Sequence, residues 1–240
     1  MGNITTLARR ELGAYFLSPI AYAVAAVYLF STGLAFGLGT FRNGAEASLR
    51  SLFEFWLLLV LVFVLPMLTM RLLSEEFRSG TIETLITAPI TEVEIVLGKF
   101  FGAFVFYLVL LAALLLYPIV LAVYGPVDGQ LLICNYVGLL LAGALFISVG
   151  LFFSAWTKHQ IVAVILSFAL LAIMTFASHG LAQAVDAGWF RAVLQHVSVR
   201  THFFDFVRGM MDLNHIVFFL SSTCLFLFLT VKRLEMWRWQ

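Results

Sequence analysis

Residues 100–124 read FFGAFVFYLVLLAALLLYPIVLAVY, and none of these positions is charged. At about 1.5 Å per helical residue the run is longer than the roughly 30 Å of hydrocarbon in a bilayer. Working outward from it, five further apolar stretches stand at 19–41, 55–73, 131–156, 160–178 and 216–231. Composition agrees, because 62% of the chain is hydrophobic and 11% charged, against about 45–50% and about 25% in soluble domains. A surface with so few charges to cover it has lipid, rather than water, as its natural solvent. These observations predict an all-α membrane protein with six transmembrane helices, folded as a single domain over residues 1–240.

Local signals place the ends of several elements. Ser18 followed by Pro19 reads as an N-cap and a first-turn proline, and Thr91 with Glu94 has capping-box spacing ahead of the third span. Pro66 and Pro118 fall inside spans, where they read as packing kinks. The first apolar run follows Arg9 and Arg10 but is too long for a signal peptide and lacks a small-residue cleavage site, so it is expected to remain as an anchor. Before it, Ile4, Leu7, Ala8, Leu12, Tyr15 and Phe16 recur at helical spacing with Arg9, Arg10 and Glu11 between them, the pattern of a helix lying in the interface plane over 1–18. Between spans five and six, Leu181, Val185, Trp189, Val193 and Val197 form one stripe. Phe203, Phe204, Val207, Met210 and Met211 form another, opposite Asp205, Arg208 and Asp212. Both predict short interfacial or re-entrant helices.

Counting lysines and arginines orients the chain. One side carries Arg9, Arg10, Arg71, Arg78, Lys99, Lys158, Lys232, Arg233 and Arg238, and the other Arg42, Arg50, Arg191, Arg200 and Arg208. The positive-inside rule therefore puts both termini in the cytoplasm, with Trp237 and Trp239 as an interfacial anchor.

Chemistry is sparse. Glu54, Arg71, Lys99, Lys158, His159 and Lys232 all sit at the ends of spans, which argues against a pump driven by an ion bound near the midplane. The one Gly-Lys pair, Gly98-Lys99, is followed by Phe100 and preceded by Val93 at the first P-loop glycine position, so the chain is not expected to bind a nucleotide or to be an enzyme. Glu75 and Glu76 read as adjacent acids on a hydrated loop. His179, His196, His202 and His215 match no ligand motif and read as interface histidines bonded to water or headgroups; no metal is expected. Cys134 and Cys224 read as small hydrophobes, and Gly33 with Gly37 gives a GxxxG that points weakly to a dimer face. No basic stripe suggests nucleic acid.

The most informative run is Ser74-Glu75-Glu76-Phe77-Arg78-Ser79-Gly80-Thr81-Ile82-Glu83-Thr84-Leu85-Ile86-Thr87-Ala88-Pro89, within a cytoplasmic connection over 74–98. Its charges, its glycine break and its apolar patch at Leu85, Ile86 and Pro89 suit a docking knob for another protein, or a short helix lying on headgroups. Continued to Phe100, this run resembles the cytoplasmic loop of ABC type-2 transporter permeases, in which Glu, Gly-Thr, Glu, Leu and Pro recur ahead of a Gly-Lys. The end of the chain, with His202-Phe203-Phe204-Asp205-Phe206-Val207-Arg208-Gly209 and later Leu234-Glu235 and Arg238-Trp239, resembles the gliding-motility-type branch of that family.

The resemblance implies a six-span permease subunit in a bacterial cytoplasmic (inner) membrane. Two such subunits, identical or homologous, would work with two copies of a separate ABC ATPase that binds the ATP and Mg; the chain itself needs no cofactor. The coupling loop would rest on Glu76, Gly80, Thr81, Glu83, Leu85 and Pro89, which match the family pattern, together with Glu75 and Arg78. Short outer segments imply an extracytoplasmic accessory protein for any distant target. The alternatives are a non-transporting membrane scaffold or a passive channel.

Overall fold

The computed structural model describes residues 2–40, 52–82, 90–124, 128–184 and 188–238, and among these there is no strand. Helix α1 (Gly2–Phe16) precedes α2 (Pro19–Thr40). A π-helical turn at Leu52–Trp56 leads into α3 (Leu57–Thr69), which continues after a break at Met70 as α4 (Arg71–Ser79). Then come α5 (Glu92–Ala113), α6 (Leu116–Tyr124) and α7 (Gly129–Ser154). Helix α8 (Gln160–Ala172) passes through a π-helical turn into α9 (Ser178–Ala184). Two short helices, α10 (Trp189–Val197) and α11 (Val199–Val207), precede α12 (Leu213–Arg238).

Six helical stretches are long and apolar enough to cross a bilayer: Pro19–Leu38, Leu52–Ser79, Glu92–Val123, Gly129–Ser154, Gln160–Ala182 and Leu213–Trp237. The expected six spans are therefore present, but their ends differ from those that hydropathy marks. The second helix does not stop at Leu73 where the apolar run ends. Nothing between Leu73 and Ser79 disfavours a helix, and the turn comes only at Gly80, whose φ of 75° is the left-handed C-cap conformation that glycine tolerates. Glu75 and Glu76 thus lie on a helix, not on a loop. The third helix starts at Glu92, closed by the expected capping box: Thr91 Oγ1 accepts from Glu94 N–H at 3.3 Å, and Glu94 Oε2 accepts from Thr91 N–H at 3.0 Å. Pro118 lacks an N–H to continue the ladder, and the chain breaks between α5 and α6 just before it. Gly209, with φ 79°, ends the turn after α11, so Met210 and Met211 lie beyond the helix that the second stripe predicts. Along the first stripe Leu181, Trp189, Val193 and Val197 are exposed and divided between α9 and α10, while Val185 lies outside the described residues. Arg42, Arg50 and Trp239 also lie outside them.

Helix α7 is the axis of the bundle. Of the membrane-crossing windows it is the most enclosed, at 78% buried against 28% for the last span, and α3, α4, α5, α8, α11 and α12 all pack on it. Between apolar helices in lipid there is little hydrophobic drive, so close packing has to supply the association. Glycines along α7 make it possible: a Cβ at Gly138 would come within 2.9 Å of Phe206, one at Gly143 would enter the Tyr107 ring, and one at Gly150 would strike the Thr69 hydroxyl. Tyr107, fully buried, uses the gap to donate its hydroxyl to the Leu139 carbonyl at 2.8 Å. By contrast Gly37, half of the GxxxG in the first span, meets nothing within 4 Å.

Gly143→Ala is expected to lower the stability of the detergent-solubilised chain by about 1–3 kcal/mol through overpacking, and Gly37→Ala to leave it unchanged. A thermal unfolding scan of the two variants against the native chain checks both.

Candidate functional site

At the end of the bundle from which Gly80 departs, α1 lies along the first half of α5. The fit is made by Gly98 and Gly102: a Cβ at either would come within 2.7 Å of α1 atoms, Leu7 Cδ2 and Glu11 Cβ respectively. This GxxxG, one turn apart on α5, seats a helix of the same chain. Every fourth residue or so of α1 finds a partner. Asn3 donates to Glu94 Oε1 at 3.3 Å. Leu7 fills the gap at Gly98, and Glu11 crosses Gly102 to reach Lys99. The Tyr15 hydroxyl donates to the Leu68 carbonyl at 2.8 Å, and its ring stacks on Phe106 at 5.0 Å. Burial holds the Tyr15 phenol well above its ordinary pKa, so it remains a donor.

Lys99 is the centre of this junction. Because α5 begins at Glu92, Lys99 is not at a wet helix end: it is 1% exposed. Its Nζ lies 2.7 Å from Glu76 Oε1 and 3.0 Å from Glu11 Oε1. Arg10 closes the group at 3.4 Å from Glu76 and 3.2 Å from Glu11. Two carboxylates and two cations balance, which is the condition for keeping charge inside an apolar assembly. The second Glu76 oxygen is enclosed and has no hydrogen-bond partner among the described residues. Glu76, expected at the docking surface, is therefore turned inward and joins α4 to α1 and α5.

A second fastening lies one turn back. Arg71 donates through Nη1 to Ser18 Oγ and through Nη2 to the Ala14 carbonyl at 3.4 Å, with its guanidinium 4.8 Å from the Tyr15 ring centre. Ser18 thus gives its hydroxyl to Arg71, while its carbonyl accepts from Ala21 N–H in the first turn of α2. At the break between α3 and α4, the Leu73 and Ser74 amides donate to Ser154 Oγ, each at 3.0 Å, and that hydroxyl donates to the Met70 carbonyl at 2.8 Å. One side chain from α7 replaces the backbone bonds that the break removes, an identifiable cause of a kink.

The outward-facing part of α4 and its cap is narrow. Glu75, Arg78, Ser79, Gly80 and Thr81 are exposed, whereas Leu73, Phe77 and Ile82 are buried. Ser79 and Thr81 join hydroxyls at 2.8 Å across Gly80. Phe77 packs on Trp237 of the last span at 5.0 Å, and Lys158 Nζ lies 5.5 Å from the same indole. Of the expected coupling residues, Glu83, Leu85 and Pro89 lie outside the described residues. Glu11, Arg71, Lys99 and Ser154 have no place in the sequence reading of this site. An ionisable group next to a GxxxG inside an apolar run is the signal that could have revealed Lys99. Ser154 carried none.

At the other end, His202 and His215 do not simply face water or headgroups. His202 is buried, and its Nδ1 lies 2.7 Å from Nδ1 of His215. The thiol of Cys134, also buried, donates to the Gly209 carbonyl, whereas Cys224 is exposed. No group of histidine, cysteine and acidic residues able to hold a metal occurs among the described residues.

Removing Lys99 leaves two enclosed carboxylates with only the exposed Arg10 to balance them. Lys99→Met is expected to cost about 3–5 kcal/mol, much of it recovered by adding Glu76→Gln, as read in a double-mutant cycle of thermal stability. Ser154→Ala, which orphans two buried amides, should cost about 1–3 kcal/mol by the same measurement.

A family model described as ABC-2 family transporter protein matches residues 56–230. The matched stretch runs from the turn before α3 to the last span and leaves α1 and α2 outside it. No curated protein matches the chain.

Proposed function

The chain belongs to the ABC-2 family of transporter proteins and is a multi-pass membrane permease of that family, and we propose that it couples ATP hydrolysis in a separate ATPase subunit to movement of its own helices. The observation that carries this reading is the extension of the second span. Helix α4 continues past the apolar run to Gly80 and is joined to α1 and α5 through Lys99. A push on the connection between Gly80 and Thr91 would therefore move α4, α1 and the start of α5 together rather than bend a soft loop. At Met70, where Ser154 takes up the broken helix ladder, the displacement would pass to α3 and α7. Such a unit suits a two-state change biased by nucleotide in a partner.

The exposed residues Glu75, Arg78, Gly80 and Thr81, with Glu83, Leu85 and Pro89, form the proposed seat for the ATPase. Glu76 is assigned instead to holding that seat in place. ATP and Mg belong to the partner, and this chain has no catalytic role. The assembly would hold two permease subunits, the same or homologous, and two ATPases, in a bacterial cytoplasmic membrane with both termini on the ATPase side. Export of a substrate and transmission of force to an extracytoplasmic accessory protein are both served by this arrangement. The segment His202–Gly209 is the ground for placing the chain in the gliding-motility-type branch.

The test is copurification with the cognate ATPase. A Glu75→Arg, Glu83→Arg double variant should lose the bound ATPase and at least tenfold of the coupled ATP turnover. Its thermal transition, compared with that of the native chain, checks that the variant is folded. Equal ATPase binding by a well-folded variant would sink the coupling assignment.

A further inference from the structure

The end of the bundle opposite the coupling connection holds a chain of polar contacts that the permease reading does not use. His202 on α11 faces His215 on α12 through their Nδ1 atoms, 2.7 Å apart. The other nitrogen of His215, Nε2, lies 2.7 Å from Asp205 Oδ2. The other nitrogen of His202, Nε2, lies 3.0 Å from the His196 carbonyl on α10. The His202 ring is stacked on Phe218 with centroids 4.0 Å apart, which fixes its orientation.

The protons in this chain can be counted. A carbonyl oxygen only accepts, so His202 Nε2 has to carry a hydrogen. An ionised carboxylate only accepts, so His215 Nε2 has to carry one as well. The contact between the two Nδ1 atoms needs one more, since two bare nitrogens 2.7 Å apart would repel. Three hydrogens are required on four ring nitrogens, and two neutral imidazoles supply two.

We infer that His202, His215 and Asp205 form a proton-binding site whose one additional proton fastens α10 and α11 to the last span. The charge belongs on the His215 ring, which faces the Asp205 carboxylate, while His202 stays neutral, accepting at Nδ1 and donating from Nε2. Burial, acting on His202, favours its neutral form. When the proton leaves, one of the three links becomes a contact between two acceptors. The link to the His196 carbonyl, the longest of the three, is the one that opens. This site lies far along the chain from the coupling residues, and its test is independent of theirs.

On α10, His196 presents its ring 5.9 Å from that of His202, and Arg191 lies one turn and a half earlier. Asp212, just before α12, is held ionised by the Asn214 amide and side chain. Arg208 is folded over Phe204 and Arg200 over Phe55, and Glu54 is the acid on the π-helical turn that packs against α11. From α7, Cys134 and Asn135 line this region, with no charged group among its described residues. Among the described residues Asp205 is thus the one carboxylate in direct contact with the pair.

The experiment is to label the histidine rings with nitrogen-15 and record their NMR signals from the full chain in lipid nanodiscs at pH 7.5, assigning them by their loss in His202→Gln and His215→Gln variants. At that pH an isolated imidazole, of ordinary pKa about 6.5, is mostly neutral. Three protonated nitrogens among the four of His202 and His215 are expected, against the two that a pair of neutral rings would carry. Asp205→Asn should reduce the count to two at the same pH. A count of two in the native chain, one on each ring, overturns the inference; where a variant fails to fold, the rings are assigned in the native chain by their cross-peaks to Phe218 and Phe206.

Discussion

An ammonium group closed off from water sets the terms for the end of the bundle where α1, α4 and α5 meet. Lys99 sits in a helix whose neighbours are almost all apolar, at 1% exposure. A bare charge there would be expensive enough to be neutralised or expelled. It is kept because Glu76 arrives from α4 and Glu11 from α1, and each can do so only along one path. Glu11 has to cross the face of α5, which requires Gly102 to carry no side chain and Gly98 to admit Leu7. Glu76 has to come from about one turn beyond the apolar run, which requires α4 to stay helical past Leu73. The position of one lysine therefore accounts for the seat of α1 and for the continuation of the second helix beyond its apolar run.

The second consequence concerns the break at Met70. Had α3 and α4 been one unbroken helix, the Lys99 junction would have been rigidly continuous with the membrane part. Instead Ser154 supplies the bonds that the break removes, from the last turn of the central helix. The two helices can be held at an angle without leaving buried amides unpaired, the usual obstacle to breaking a helix in an apolar setting. Tyr15 and Arg71 flank the break on the α1 side, through the Leu68 carbonyl and Ser18. Rigid pieces with a fully bonded joint between them are what a mechanical linkage consists of.

Much of the fold was legible in the sequence because hydrocarbon is a stringent solvent. The six spans, the Thr91–Glu94 cap and the interruption before Pro118 each follow from a local rule. What was not legible depends on which faces meet. Hydropathy ended the second span at Leu73, because it reads solvent preference, whereas the helix ends where a residue can take a positive φ. Glu76 looks like a surface acid until a lysine 23 positions later is known to face it. Gly33-Gly37 and Gly98-Gly102 have the same spacing, and only the second has a helix laid across it. His202 and His215 are 13 positions apart on different helices, so their pairing is invisible to any motif.

The seating of α1 also has a bearing on the order in which the chain is made. Its partners come later in the sequence: Leu68 and Arg71 after the second span has begun, and Glu94, Lys99 and Phe106 only with the third. During synthesis α1 emerges before these partners and waits with Glu11 lacking Lys99 and Leu7 uncovered until the third helix presents its two glycines. Docking of α1 is then a record that the first three spans have been inserted and aligned. A chain stalled or misinserted before Phe106 would carry an exposed amphipathic segment, the kind of surface by which cellular quality control recognises incomplete proteins.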